Sequence, residues 1–399
     1  MVMHAERSIE GGGVRMSESE DQLDSYAYYR QLRRDSPVSR IDDGPWQVAR
    51  FHDVQQVLRD STVFSSDVST RPAEERASPS MLFSDAPIHN RLRKLVSRAF
   101  KPSHIESQRA LITERCDELV RKMSTQAQVD LVQALAAPLP VTVIAHMLGV
   151  ADGDMLTFKQ WSDAIFSNIG DILFATPSPE AVAASEEMNA YFLGRIAQIR
   201  RQPADHLLGR LIETETEDGY LSDEELLSFC SLLLIAGNET TTGLITASVR
   251  VFDEIPQTFH QLKQNPALIP TFVEEALRYY SPFSVTVRRA LCDTVICDTK
   301  IGKGELVLPL MASANRDETV FANPDAFIID RDPNPHLAFG FGIHFCLGAH
   351  LARLEGEIAV ASLLKHLDGI SLVEGCTAQA SLLGGPTELW VNVNGRDVP

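Results

Sequence analysis

Apolar positions recur every three or four residues through most of 89–280, where RLRKLVSRAF, LITERCDELVRKM, LLSFCSLLLIAG and FVEEALRYY all carry the helical period. Alternating runs are fewer and shorter. WQVARF (46–51), SVTVRRA (284–290), TVICDTKIG (294–302), ELVLPL (305–310) and ELWVNV (388–393) predict short strands with turn residues between them. The pattern therefore predicts a mainly α protein with a small β region, an α+β arrangement. No repeat, low-complexity tract or Pro/Gly-rich linker divides it, which predicts one domain over 17–399. Residues 1–16, with a glycine triplet at 11–13, read as a flexible lead-in, and Met16 is a candidate start. From 311 to 345 neither period is visible. A stretch longer than about 12–15 residues without regular structure predicts a functional segment.

Composition narrows the partners. A net charge of −18 opposes general attraction to nucleic acid or an anionic membrane. The longest apolar runs fall short of the roughly 20 residues needed to span a bilayer, and no export signal is visible, so a soluble cytoplasmic monomer is expected. Six cysteines scattered along such a chain predict reduced thiols. Cys292 and Cys297 are near neighbours but lack the second pair that a zinc site requires.

Three segments carry candidate chemistry. The first is FGFGIHFCLG (339–348), where Gly340, Gly342 and Gly348 surround Cys346 and a helical pattern follows. Bent backbone ahead of a helix offers amide donors and a favourable dipole to a thiolate. A thiolate there has three uses: nucleophile, zinc ligand or ligand to haem iron. His344 and Cys346 on so short a loop make a poor zinc pair.

The second is SDEELLSFCSLLLIAGNETTTGLITASVRVF, which begins with a capping box at Ser222 and Glu225 and would span about 46 Å as one helix. Its middle, AGNETTT, places Gly237, Asn238 and three β-branched threonines where helix formers are favoured by up to roughly 1 kcal/mol each. Burying Glu239 beside Thr240 is costly without a purpose, and threonine back-bonding bends helices. The third is HNRLRKLVSRAFK (89–101). At about 100° per residue, Arg91, Lys94, Arg98 and Lys101 share an arc of about 80°, and His89 and Arg93 lie on the opposite side.

FGFGIHFCLG resembles the haem-binding signature of the cytochrome P450 superfamily at every defining position, and the likeness runs in order from about residue 25 to the carboxyl end. The resemblance implies that fold, haem b as cofactor and Cys346 as its thiolate ligand, with Phe339 beneath the macrocycle, Gly340 and Gly348 shaping the loop and His344 near a propionate. It implies that His89 and Arg93, an HxxxR pair, and Arg288 grip the propionates. Strand alternation turns Arg289 the other way. AGNETT resembles the family's oxygen-binding helix, which implies that Glu239 relays protons, Thr240 orders the oxygen complex, and Ala236 and Gly237 leave room for the ligand. Glu275 and Arg278 resemble the helix pair that braces the haem segment. The arginine of the family's Pro-x-Arg-Phe pattern is Ala326 here, leaving Arg316 or Arg331 as substitutes.

By position, substrate contacts are expected from the loop 66–86, Leu232, Leu233 and Ala236, from Phe283 to Val287 including Ser284, Val285 and Thr286, and from Leu382 and Leu383. Arg71 or Arg76 is a candidate for a substrate carboxylate, with a solvated surface arginine as the blander reading. The implied activity is O2-dependent hydroxylation or epoxidation of a lipophilic molecule of fatty acid, terpenoid, steroid or polyketide type, with electrons from a ferredoxin or flavodoxin and its reductase. The Arg91 stripe is a candidate docking patch for that partner, with a solvated basic helix face as the blander reading. A peroxide-driven peroxygenase and a non-catalytic haem-thiolate sensor are the alternatives, and the Glu239–Thr240 pair speaks against both.

Overall fold

The computed structural model describes residues 22–69, 80–167, 178–217, 219–376 and 385–395. Among them are twelve helices of seven residues or more: α1 (Gln22–Asp35), α2 (Phe51–Arg59), α3 (Ile88–Ala99), α4 (Arg109–Met123), α5 (Pro138–Met147), α6 (Met155–Ser167), α7 (Pro179–Arg201), α8 (Leu207–Glu213), α9 (Asp223–Glu254), α10 (Gln257–Gln264), α11 (Ile269–Tyr280) and α12 (Ala349–His366). The lead-in, the candidate start Met16, Arg71, Arg76, Leu382 and Leu383 all lie outside the described residues.

Helix α9 is the axis of the core. Its capping box forms as the sequence predicts: the Ser222 hydroxyl accepts from the Glu225 N–H, and the Glu225 carboxylate accepts from the Ser222 N–H at 2.9 Å. The helix continues unbroken through AGNETTT. Every residue from Thr241 to Val249 is buried, so this stretch is enclosed on all sides, as its short hydroxyl and aliphatic side chains allow. It packs on α5, α11 and α12. Hydroxyls in that environment need local acceptors, and Thr246 and Ser248 find them in carbonyls of the preceding turn.

The strands form a mixed sheet in the order β1 (Val38–Arg40), β2 (Trp46–Val48), β8 (Leu306–Pro309), β5 (Arg288–Ala290) and β3 (Phe64–Ser65). β2 runs parallel to β8 with Trp46 opposite Val307, and the other pairs are antiparallel. A second antiparallel sheet orders β4 (Gln128–Asp130), β10 (Trp390–Gly395) and β9 (Leu367–Leu372). β6 (Thr294–Ile296) and β7 (Thr299–Ile301) make a hairpin whose turn, Cys297 and Asp298, has positive φ at both residues, which explains why CDT separates two alternating runs.

SVTVRRA is strand only over its last three residues, with Val285 adding a single bridge to Leu310. Strands β1, β3, β4 and β9 carry no alternation long enough to read. The stretch 311–345 is irregular as expected, apart from a short helix Met311–Ala314 and one turn of 3-10 helix at Gly342–His344.

That irregular stretch is held by a buried brace. Arg278 donates to both oxygens of Glu275 at 2.7 and 2.8 Å, and both side chains are fully buried. Arg331 supplies the third arm, its Nε 3.0 Å from each Glu275 oxygen. Ala326 serves the brace through its carbonyl, which accepts from Arg278 and Arg331. Arg316 is not an arm; its guanidinium lies between the rings of Tyr26 and Tyr279, 4.1 and 3.7 Å from their centroids.

Candidate active site

The cysteine loop turns on two glycines. Gly340 and Gly342 have φ of +70° and +75°, a region costly for any residue with a Cβ. A Cβ on Gly342 would also lie 2.7 Å from the Leu58 carbonyl oxygen, so the loop is seated against the end of α2. The Cys346 N–H donates to the Phe339 carbonyl at 2.9 Å, which closes the turn and fixes the thiol relative to the Phe339 ring. Gly348 then caps α12. Burial pushes the Cys346 thiol up, while the Gly348 N–H and the guanidinium groups of Arg93 and Arg353 pull it down. The amide and cation support expected of a thiolate loop is present.

Beside this loop four basic side chains converge from three elements. His89 and Arg93 project from the same face of α3, Arg288 from β5, and His344 from the loop. His89 is 1% exposed and its ring centroid stands 4.2 Å from that of His344. The Nε2 atoms of both rings are buried without a hydrogen-bond partner. Arg93 donates to the Phe345 carbonyl at 2.8 Å, joining α3 to the loop. Burial lowers Arg288 to about 10, and its recorded bonds are to Val287 and Thr286 of its own segment. Burial, then the charges of His89, Arg288 and Arg93, push His344 down to about 3. Asp85 is the acid near this group, and its carboxylate already accepts from the Ser65 hydroxyl and the Ser66 N–H. Two buried side chains, His89 and Arg288, and two half-buried ones, Arg93 and His344, around one acid that is already bonded suit a dianionic edge, because polar atoms so placed are otherwise desolvated for nothing. The cradle therefore fits a haem with two propionates. Arg289 turns to the other face of β5 and binds the Asp67, Val68 and Gly304 carbonyls.

On α9, Ala236 is exposed and Glu239 is 6% exposed. The Thr240 hydroxyl donates to the Ala236 carbonyl at 2.8 Å, one turn back, so the two share a face. Leu232 and Leu233 are half-buried one turn earlier. Gly237 does not leave room for a ligand. A Cβ there would meet Ile144 Cδ1 at 2.4 Å, so this glycine serves the packing of α9 on α5, and only Ala236 of the pair faces open space.

Other candidate residues have partners within the fold. The Ser284 hydroxyl donates to the Ser281 carbonyl at 3.3 Å, and Thr286 accepts from Arg288 at 3.3 Å, which ties Thr286 to the basic cradle. Val285 and Phe283 remain half-buried and apolar. Three cations of the Arg91 stripe are engaged within the fold. Arg91 binds Glu225 at 2.6 Å and the Tyr220 carbonyl at 2.8 Å, Lys94 pairs with Glu217, and Arg98 donates to the Glu215 carbonyl at 2.6 Å. These cations clamp α3 onto the segment that leads into α9.

Sequence reasoning passed over two groups. Glu355 on α12 is fully buried 3.4 Å from the Thr241 hydroxyl, and burial pushes its carboxyl up to about 8. Glu274 grips Arg353, whose guanidinium lies 4.4 Å from the Phe339 ring centroid. The available signals were spacing: Arg353 follows Cys346 by about two helical turns, and Glu274 adjoins the brace glutamate.

A family model for cytochrome P450 matches residues 20–374. The chain is a cytochrome P450. As such it is a monooxygenase, an oxidoreductase that carries haem. It is 38% identical to putative cytochrome P450 YjiB of Bacillus subtilis over 93% of this chain and 95% of that one. It is 37% identical to cytochrome P450 107B1 of Saccharopolyspora erythraea over 88% and 90% of the two chains. Among solved structures, CYP109Q5 from Chondromyces apiculatus superposes with a TM-score of 0.86 at 35% identity, covering 94% of this chain and 96% of that one. CYP109E1 from Bacillus megaterium in complex with testosterone superposes at 0.84 and 35% identity, covering 92% and 99%. Among the described residues no helix is long and apolar enough to cross a membrane.

Proposed function

We propose that this cytochrome P450 holds haem b through Cys346 and inserts one oxygen atom of O2 into a lipophilic small molecule, by hydroxylation or epoxidation. The supporting observation is the convergence of His89, Arg93, Arg288 and His344, with two unpartnered buried imidazole nitrogens, beside a cysteine held by amide and guanidinium donors. When bound, the haem supplies O2 activation, which thiolate ligation favours. The remaining work falls to the chain. Two electrons and two protons accompany each turnover; one oxygen atom enters the product and the other leaves as water.

Glu239 is the buried acid that passes protons inward from α9. The Thr240 proton is committed to the Ala236 carbonyl, so the Thr240 oxygen is left as an acceptor that orients the reacting oxygen. Ala236, Leu232 and Leu233 present an apolar face that excludes water and packs the substrate, and half-buried Val285 and Phe283 are the further apolar contacts of the proposal.

Testosterone and corticosterone are bound in structures of CYP109E1, and a rigid lipophile of steroid or terpenoid size is the substrate class proposed here. Electrons come from a ferredoxin or flavodoxin with its reductase, and a cytoplasmic setting agrees with six free cysteines. The test begins with the absorption spectrum of the reduced protein under carbon monoxide. A strongly red-shifted band, lost in Cys346→Ala, is expected; an ordinary haem–CO band would sink thiolate ligation. Product formation dependent on O2 and a reductase separates this reading from a peroxygenase, which would turn over with peroxide alone. Absence of any turnover across a lipophile library with tight haem-ligand binding would favour the sensor.

A further inference from the structure

Phe339 contacts Cys346 through its main chain and a cation through its ring. Its carbonyl accepts the Cys346 N–H at 2.9 Å, and the Arg353 guanidinium stands 4.4 Å from its ring centroid. Arg353 does not reach that position unaided. Its Nε and Nη2 donate to the two oxygens of Glu274 at 2.7 and 2.9 Å, a fork that fixes the plane of the guanidinium. His336 Nε2 lies 3.2 Å from the same carboxylate, and the Ala338 N–H donates to its Nδ1 at 3.3 Å, anchoring the acid to the irregular segment that leads into the loop. Burial would raise the Glu274 carboxyl, but its bonds to Arg353 and His336 hold it at about 2, so it stays ionised at working pH. The two side chains are 31% and 30% exposed. A zwitterion so placed is fixed in geometry, yet its field is only partly screened.

We propose that Arg353, held over the Phe339 ring by Glu274, is a positioning residue that sets the reduction potential of the haem iron through the loop of its thiolate ligand. The proposal rests on the Cys346 ligation argued above. One-electron reduction of the ferric centre adds one negative charge beside the loop, and nearby charges therefore enter the potential with opposite signs. Arg353 favours the reduced state, and Glu274 offsets it. A pair that merely buttressed the loop would not behave so: loss of either member would loosen the same turn and move the potential the same way.

The test is a dithionite redox titration of holoenzyme variants, each first checked for the red-shifted ferrous–CO band. Arg353→Met is expected to titrate at a more negative potential than the wild type, and Glu274→Gln, which keeps the cation and removes the anion, at a more positive one. Shifts of the same sign, or none, overturn the proposal. Should Arg353→Met fail to hold haem, Glu274→Gln decides alone, and an unchanged or lowered potential overturns it. Failure of both to load haem assigns the pair to holding the loop and overturns it as well. A wild type without the red-shifted band would instead sink Cys346 ligation itself, so the two failures are told apart before any variant is titrated.

Discussion

His89 and His344 stand with their rings 4.2 Å apart, each presenting a buried Nε2 that bonds to nothing in the protein. Unpaired buried polar atoms cost roughly 1–3 kcal/mol each, and a pair drawn from distant segments makes sense when a shared anion, with the rings protonated at Nε2, satisfies both. His89→Ala and Arg93→Ala should each weaken haem retention by about 10–100-fold, the loss of one charge-assisted hydrogen bond. Arg289→Ala, one residue from Arg288 but on the other face of β5, should leave retention unchanged. The rate of haem transfer to an apo-globin acceptor measures this; equal losses at Arg288 and Arg289 would remove the cradle from the account.

Gly237→Ala isolates the packing role of a glycine in the oxygen helix. The added methyl meets the tip of Ile144, a side chain that is itself buried, and should destabilise the protein by about 1–2 kcal/mol in thermal unfolding. Ile144→Val, which withdraws Cδ1, should recover most of the loss. If Gly237→Ala instead left stability intact and altered substrate affinity alone, the glycine would belong to the pocket after all.

How much of this was legible in the chain depended on the range of the interaction. The Ser222–Glu225 capping box and the opposite fates of Arg288 and Arg289 follow from spacing within one element, and the structure holds both. The glycine-rich cysteine loop was equally plain, because positive φ leaves its mark on composition. What failed needed a partner's address. The reason for Gly237 lies on Ile144, far away in sequence, and a helical projection of 89–101 gives an arc without saying which acids face it. The absence of an arginine at Ala326 left Arg316 and Arg331 as equal candidates for the third arm, and only the fold, which brings Arg331 to Glu275, chose between them. Strands of two or three residues, such as Phe64–Ser65, are too short to show a period at all.

The brace yields a ranking. Glu275 is fully buried and accepts from Arg278, Arg331, the Ile328 N–H and Asn334. Removing one partner of a buried ion pair costs about 3–5 kcal/mol because a charge is left uncompensated. Arg278→Ala should therefore abolish haem loading. Arg331→Ala, with Arg278 still forked on the acid, should cost less and give loaded but less stable protein. Arg316→Ala should lower stability with no change in the ferrous–CO band. A milder effect at Arg278 than at Arg331, read by haem content after expression, would reverse the assignment.

Glu355 gives the protein a pH-dependent weakness. Its carboxyl is held up at about 8 by burial, against about 4.3 in an unfolded chain. Between those values the folded protein keeps a proton that the unfolded chain has released, so stability falls as pH rises. The contribution is fully present below about 4.3 and is lost as pH climbs through 8. Its ceiling is of order 5 kcal/mol. Glu355→Gln should flatten that decline in unfolding temperature between pH 5 and 8.5, and parallel curves for the two proteins would show that Glu355 is ionised in the fold.

For the Arg91 stripe, docking of a partner and packing within the fold make different predictions. As an open basic patch, Arg91 would steer an acidic reductase, and its loss would slow association most at low ionic strength. In the fold, Arg91 instead bridges α3 to Glu225, whose other oxygen is already committed to the cap of α9. Arg91→Ala should therefore destabilise the protein by about 1 kcal/mol, of which a double-mutant cycle with Glu225→Gln should recover a comparable coupling energy. Reductase-supported turnover per folded molecule should stay the same at low and high salt. Lys101, at the end of the stripe and exposed, should behave in the opposite way if a partner docks on this face. A turnover loss at Arg91 that grows as salt is lowered, with no coupling to Glu225, would restore the docking patch.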